Sequence, residues 1–96
     1  MPRKSIAEII LKEELNKEEE ENFGNYLVIY DFKLTYRRSI PDKFYKNLSK
    51  IMERGECRFI QKSVILCNDL FIARAIAKLA KYYGADVKIF KVHTLF

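Results

Sequence analysis

The spacing of apolar residues changes several times along the 96-residue chain, and each change predicts an element. A continuous apolar run over residues 26–32, YLVIYDF, is typical of a central strand buried on both faces. Residues 57–67 and 87–95 are rich in β-branched and aromatic residues and predict further strands. The polar tripeptide 61–63 interrupts the first of these segments, which is therefore two short strands or one bent strand.

Three other segments have the apolar spacing of helices. Residues 5–22 begin with Ser5 and Glu8 at the spacing of a capping box, although most of the later positions are acidic. Residues 41–55 follow, with proline in the first turn. The third predicted helix, 70–84, is preceded by Asn68-Asp69 as a potential N-cap. The predicted helix over residues 41–55 has an apolar face formed by Phe44, Leu48, Ile51 and Met52. Its basic face is formed by Lys43, Lys46, Lys50 and Arg54.

This order of elements, β-α-β-β-α-β behind an extra N-terminal helix, predicts an α+β protein with a ferredoxin-like sandwich. We assign residues 1–25 to an acidic N-terminal helix and residues 26–96 to the ferredoxin-like domain. Two helices would cover one face of the sheet. The other face would meet water, the N-terminal helix or a second copy, and we favour a homodimer.

Charge is distributed unevenly between these two parts. Residues 1–25 carry four Lys/Arg against seven Asp/Glu, whereas residues 26–96 carry fourteen against six, so a net charge of −3 precedes one of +8. A basic domain attracts nucleic acid of any sequence by releasing counterions from its phosphates. A surface rich in ion pairs, as in heat-adapted proteins, explains the abundance of charge but not its segregation. The acidic segment 1–25 is either a solvated surface or a competitor of nucleic acid for the basic surface of the domain.

Several other classes of function find little support in the sequence. Cys57 and Cys67 with the single His93 cannot assemble a zinc site within one chain. A disulfide between the two cysteines is possible, but we favour reduced, buried thiols in a cytoplasmic protein. No serine or cysteine has an evident base, and no glycine-rich phosphate loop occurs. No apolar run reaches the length of a membrane span or a signal peptide, so we expect no membrane association.

Asp31 is the candidate catalytic residue, because it is a carboxylate at the end of an apolar strand. A buried carboxylate must be paired, hydrogen-bonded or bound to metal. Asp31 therefore caps the following loop, pairs with Arg37 or Arg38, or binds Mg²⁺, which prefers oxygen ligands. One carboxylate makes a poor metal site, whereas two copies of Asp31 meeting across a dimer axis would make a better one.

A set of basic and polar residues is predicted to surround Asp31 and to contact nucleic acid, the alternative for its cations being an ordinary solvated surface. Cations at these positions suit phosphate groups, and a tyrosine in the same loop suits stacking on an unpaired base. The polar residues of the tripeptide 61–63 either satisfy backbone groups or contact the ligand. The predicted nucleic-acid-binding residues are Lys33, Tyr36, Arg37, Arg38, Arg58, Gln61, Lys62 and Ser63.

The strand ending in YDF, the basic loop after it, the amphipathic helix ending in Gly55 and the segment RFIQKSV resemble the small adaptation subunit of CRISPR systems, CRISPR-associated protein two. The segment AIAKLAKYYGADVKIFKV is also similar to the related ribonucleases of the virulence-associated protein D group. The resemblance covers residues 26–92. It implies a ferredoxin-like homodimer that is a metal-dependent nuclease or a DNA scaffold, with the metal-binding aspartate at Asp31.

Three hypotheses follow from these observations. The first is a Mg²⁺-dependent endonuclease acting on RNA or DNA through paired Asp31 carboxylates. The second, slightly favoured because a single acid marks the site, is a scaffold that binds nucleic acid without cleaving it. The third is a protein-interaction module in which the acidic N-terminal helix engages a partner.

Overall fold

The structure, a computed structural model, describes residues 5–15, 23–32 and 40–93. Over these ranges the chain forms a four-stranded antiparallel sheet and three α-helices, which confirms the predicted α+β class. None of the described helices is long and apolar enough to cross a membrane. The elements in chain order are α1 (Ile6–Leu15), β1 (Phe23–Phe32), α2 (Asp42–Met52), β2 (Cys57–Gln61), β3 (Val64–Asp69), α3 (Leu70–Tyr82) and β4 (Ala85–Val92).

The strands lie side by side in the order β2-β3-β1-β4, so β1 is paired on both sides and β2 and β4 form the edges. Helix α2 connects β1 to β2, and α3 connects β3 to β4. This arrangement is compatible with a small ferredoxin-like fold. The interruption at residues 61–63 separates two strands, as one of the two predicted alternatives required, because β2 ends at Gln61 and β3 begins at Val64.

The core lies between one face of the sheet and the helices. Alternate residues of β1 are buried there, because successive side chains of a strand point to opposite faces. The predicted apolar faces of α2 and α3 supply the other half of the core. Asp69 caps α3 as expected, since its Oδ1 accepts a hydrogen bond of 2.7 Å from the backbone N–H of Phe71. The core includes Tyr26, Val28, Tyr30, Phe44, Leu48, Ile51, Ile72, Ile76 and Leu79.

Helix α1 packs on the other two helices. Its residues Ala7, Ile10 and Leu11 are buried in the common core. Asn47 of α2 accepts a 3.0 Å hydrogen bond from the backbone N–H of Ala7. At the other end of α1, the buried Glu14 forms a 2.6 Å ion pair with Lys78 of α3. Of the destinations considered for this helix, the structure therefore selects the helical layer, and none of the described helices covers the second face of the sheet.

Strand β1 differs from the prediction in its length and in its burial. It begins at Phe23, because Gly24 continues the strand with φ +148° where the pairing to β3 shifts register. The expectation of burial on both faces is wrong for the single chain. Leu27, Ile29 and Asp31 point away from the helices, and Ile29 is 37% exposed. An apolar run indicates a strand, but only the packed elements determine which faces are covered.

Candidate functional site

We call the sheet face turned away from the helices the open face. The apolar residues at its centre lie outside the main core cluster, although Leu66 is only 5% exposed because its strand neighbours cover it. Phe90 is 49% exposed. Register and alternation place Leu27, Ile29, Asp31, Arg58, Val64, Leu66, Asp86, Lys88, Phe90 and Val92 on this face.

Asp31 lies on the open face near the carboxyl end of β1 and is exposed. The expectation of a buried carboxylate is therefore wrong, because the position falls on the uncovered side of the strand. The antiparallel pairing places Asp86 of β4 directly opposite Asp31. Side chains facing each other in this way have Cβ atoms ~5 Å apart, and two like charges there repel each other. One chain thus supplies two adjacent carboxylates.

The two aspartates line a shallow cleft of about 290 Å³ together with Ile29, Tyr30 and Lys88. Magnesium is commonly held by one or two carboxylates, with water or phosphate oxygens completing its coordination. Two aspartates at an open cleft fit that pattern. Within residues 5–15, 23–32 and 40–93, no group of three or more His, Cys, Asp or Glu residues could form a fuller metal site.

The β2–β3 turn lies beside this carboxylate pair. The backbone N–H of Tyr30 donates a 3.1 Å hydrogen bond to the carbonyl of Ser63, and the Tyr30 hydroxyl donates a 3.3 Å bond to the carbonyl of Lys62. These bonds hold Gln61, Lys62 and Ser63 at the same end of the sheet as Asp31. Burial raises the pKa of Tyr30 to about 12, and the charge of Tyr45 makes a smaller contribution in the same direction. The hydroxyl is therefore protonated and a hydrogen-bond donor at neutral pH.

Arg58 does not join this group. It pairs with Leu66 in the part of β2 remote from the turn, and Leu66 in turn pairs with Leu27. A rise of ~3.3 Å per residue and a strand spacing of ~4.8 Å place its Cα about 16 Å from that of Asp31. Arg58 instead lines a second cleft of about 400 Å³, with Asn25, Glu56, Cys57, Leu66 and Asn68. The antiparallel hairpin explains the separation, because β2 begins at the opposite end of the sheet.

Four predicted contact residues, Lys33, Tyr36, Arg37 and Arg38, lie outside the described residues. The residues that flank segment 33–39 are both described. The ring of Phe32 contacts those of Tyr30 and Phe44, with centroid distances of 5.9 and 5.0 Å. Ile40 precedes α2 and packs against the core. The segment therefore joins two points at the same end of the molecule as Asp31 and the β2–β3 turn.

Helix α2 presents a row of cations to solvent. Its apolar positions face the core, so the basic positions between them face outward. None of these cations forms an ion pair with another described residue. We call this row the α2 basic face; it comprises Lys43, Lys46, Lys50 and Arg54, all exposed.

Exposed tyrosines lie beside the first turn of this helix. Tyr45 is 38% exposed and Tyr82 is 63% exposed. Ring contacts connect both to the core: Phe44 contacts Tyr45 at 5.3 Å and Tyr83 at 6.0 Å, and Tyr83 contacts Tyr82 at 5.0 Å. The N-terminal end of α2 thus combines cations with aromatic rings held in place by the core.

Two features of the site were not predicted from the sequence. Asp86 follows Gly84-Ala85 at the start of the last strand, and only the register of β4 shows that it faces Asp31. The α2 basic face was visible as a helical pattern, but it was not assigned to the binding surface. Comparisons with protein-family models, curated proteins and solved structures find no match to this chain. Its function is therefore inferred from its own residues.

Proposed function

We propose that this chain is a ferredoxin-like domain that binds nucleic acid, DNA or RNA, as a homodimer, in the manner implied by its resemblance to CRISPR-associated protein two. The observation that carries the proposal is the α2 basic face, whose exposed cations have no acidic partner among the described residues. It adjoins the end of the molecule that holds the β2–β3 turn and the start of segment 33–39.

The length of this face suits a phosphate backbone. From Lys43 to Lys50 the helix axis advances about 10 Å at 1.5 Å per residue, which is roughly three base-pair steps of a duplex, and Arg54 follows just beyond the end of the helix. Because these lysines form no ion pair with another described residue, they remain available to phosphate groups. Contacts of this kind give affinity without sequence preference.

The exposed tyrosines favour a ligand with unpaired bases. Base stacking on an aromatic ring contributes about 1–3 kcal/mol per base and is independent of sequence. Tyr45 and Tyr82 are exposed next to cations, which is the combination that single-strand binding surfaces use. We therefore expect single strands to bind more tightly than duplexes of the same length.

A salt titration with a matched pair of variants tests the binding surface. The test variant carries Lys43→Gln and Lys46→Gln, and the control carries Lys12→Gln and Lys91→Gln, so that both lose the same charge from exposed positions. The probes are fluorescein-labelled 20-nucleotide RNA and DNA, single-stranded and duplex. We expect the plot of log K against log salt to become shallower by about 2 in the test variant alone, which is about one per phosphate contact.

Two results would contradict this assignment. Equal weakening by both variant pairs would show that only net charge matters. Absence of binding by the wild-type protein at 50 mM salt would remove nucleic acid as a partner.

The homodimer is proposed to form through the open face. Ile29 and Phe90 are exposed there, and apolar surface of this kind favours association. Because β1 is one of the two central strands, a two-fold axis along the strands would bring the Asp31 ends of both copies to the same side. Packed sheets lie ~10 Å apart, so the two carboxylate pairs would face each other across that gap.

Solution mass by light scattering tests the dimer. We expect the wild-type mass to be twice that of the 11.4 kDa chain and Phe90→Glu to reduce it to one chain. Tyr82→Glu is the control, because it places the same charge at a more exposed aromatic position away from the sheet. A monomeric wild type, or a dimer that Phe90→Glu leaves intact, would refute an interface on the open face.

A Mg²⁺-dependent endonuclease is the second candidate, and the opposition of Asp31 and Asp86 favours it. The two carboxylates would hold the ion, and Mg²⁺ would supply an activated water and neutralise phosphate charge. Labelled RNA and DNA are incubated with Mg²⁺ and either the wild type, Asp31→Asn or Asp86→Asn. We expect each substitution to abolish cleavage while leaving binding intact. Cleavage that persists unchanged in Asp31→Asn would exclude this site.

One observation counts against the hypothesis of a protein-interaction module. One side of α1 is not available to a partner, because Ala7, Ile10 and Leu11 are buried against the chain's own helices, whereas Ile9 is 41% exposed. This observation leaves nucleic-acid binding as the better supported proposal.

A further inference from the structure

The two cysteines face each other across neighbouring strands. In the pairing of β2 with β3, Cys57 lies directly opposite Cys67, and both are free thiols. The S–H of Cys67 hydrogen-bonds to the sulfur of Cys57. The sequence left a bond between these two cysteines open, and the reversal of the chain between β2 and β3 brings them opposite each other.

Their separation is compatible with a disulfide. Directly opposed residues of antiparallel strands have Cα atoms about 4.5–5.5 Å apart. Disulfides join residues whose Cα atoms are about 4.4–6.8 Å apart. Bond formation therefore requires side-chain rotation without displacement of either strand.

The two thiols differ in access and in acidity. Both side chains lie on the helix side of the sheet, where Cys67 is completely buried and Cys57, on the edge strand β2, is half-buried. The hydrogen bond from Cys67 lowers the pKa of Cys57, against the opposing effect of burial. The same bond, together with burial, raises the pKa of Cys67. Cys57 is therefore the thiol that reacts first, because the thiolate is the nucleophile.

We propose that Cys57 and Cys67 form a redox-active dithiol, in which the half-buried Cys57 of the edge strand reacts with a peroxide and Cys67 then closes an intramolecular disulfide. In the first step the Cys57 thiolate attacks one peroxide oxygen, the O–O bond breaks, and a sulfenic acid and hydroxide form. In the second step the Cys67 sulfur attacks the Cys57 sulfur and displaces the sulfenic oxygen as water. The two thiols lose two electrons in total, and hydrogen peroxide is reduced to two molecules of water.

The bond would fix an edge of the sheet. Strand β2 has most of its packing against β3 alone, and four of its five residues are exposed. Edge elements with few buried contacts open locally before the rest of the fold. A covalent link to β3 would suppress this opening. The proposal does not depend on nucleic-acid binding, since it concerns only the two thiols.

Mass spectrometry of the intact protein after treatment with hydrogen peroxide tests the proposal. We expect the wild type to lose two hydrogens, with Cys57 and Cys67 in one cross-linked peptide, and dithiothreitol to restore the original mass. Cys67→Ser is expected to accumulate the sulfenic acid on Cys57, which dimedone traps, whereas Cys57→Ser is expected to react at least tenfold more slowly. In the oxidised wild type, hydrogen exchange of β2 amides should slow by about tenfold or more.

Three outcomes would overturn it. A disulfide between chains on a non-reducing gel would show that the thiols do not pair within one chain. Sulfinic acid on Cys57 without a cross-link would show that Cys67 does not reach it. Faster reaction at Cys67 than at Cys57 would reverse the proposed roles.

Discussion

Asn47 provides the sharpest test of how α1 is attached to the rest of the protein. It is a buried polar residue of α2, and its amide makes two hydrogen bonds. The oxygen accepts from the N–H of Ala7 in the first turn of α1 at 3.0 Å, and the nitrogen donates to the carbonyl of Lys43 at 2.8 Å. Helix N-termini leave their first N–H groups without partners, so Asn47 caps α1 from another helix.

The magnitude expected for Asn47→Ala follows from these contacts. Each lost hydrogen bond contributes about 1 kcal/mol, and the N–H of Ala7, whose side chain is 0% exposed, is left buried without an acceptor at a further cost of about 1–3 kcal/mol. We expect the free energy of unfolding to fall by about 3–5 kcal/mol. Ser5→Ala is the control on the same helix, because Ser5 Oγ accepts from the N–H of Glu8 at an exposed position. Its loss should cost about 1 kcal/mol or less.

Urea unfolding followed by circular dichroism measures both variants, and hydrogen exchange locates the effect. Exchange of the α1 amides should accelerate in Asn47→Ala while β1 amides change only with global stability. The reasoning would be refuted if Asn47→Ala destabilised the protein no more than Ser5→Ala. Equal protection of α1 in wild type and Asn47→Ala would refute it as well.

Two further predictions concern the interior. Gly55→Ala should lower the free energy of unfolding in urea by about 1–3 kcal/mol, because the new Cβ would lie 2.8 Å from Cγ1 of Ile72. If the loss of stability were not smaller in an Ile72→Ala background, this contact would not be its cause. Tyr30 contributes stability below pH 10 that is lost as pH rises toward 12, since the unfolded phenol ionises at pH 10 and the folded one at about 12. The difference in unfolding free energy between the wild type and Tyr30→Phe should therefore decrease by about 2 kcal/mol over this interval. Parallel pH profiles of the two proteins would contradict a raised pKa of Tyr30.

Much of the fold could be predicted from local pattern. The helical faces of α2 and α3, the capping role of Asp69 and the division of residues 57–67 each depend on neighbouring residues. Coverage of β1 and the docking of α1 depend on which elements pack together. The buried Asn47 could not be identified from the sequence as the partner of Ala7, because the two residues are forty positions apart.

The candidate site was predictable to the same extent. Asp31 and the turn at Lys62 and Ser63 do lie at one end of the sheet, because both follow from strand order. Arg58 was expected near Asp31 and lies remote from it, whereas Asp86, which was not assigned to the site, lies opposite Asp31, because proximity across strands depends on the register. A change of strand register by one residue moves a side chain by several ångströms and turns it to the other face of the sheet. Amino-acid composition carries no information about the register.

The chain of aromatic contacts from Tyr30 through Phe44 to Tyr82 has a spectroscopic consequence. The protein contains six tyrosines and no tryptophan, so its ultraviolet emission is that of phenol rings. Two of these rings are solvent-exposed beside the cations of α2. A nucleobase stacked on either ring would quench the emission, so the unlabelled protein carries its own optical reporter of occupancy.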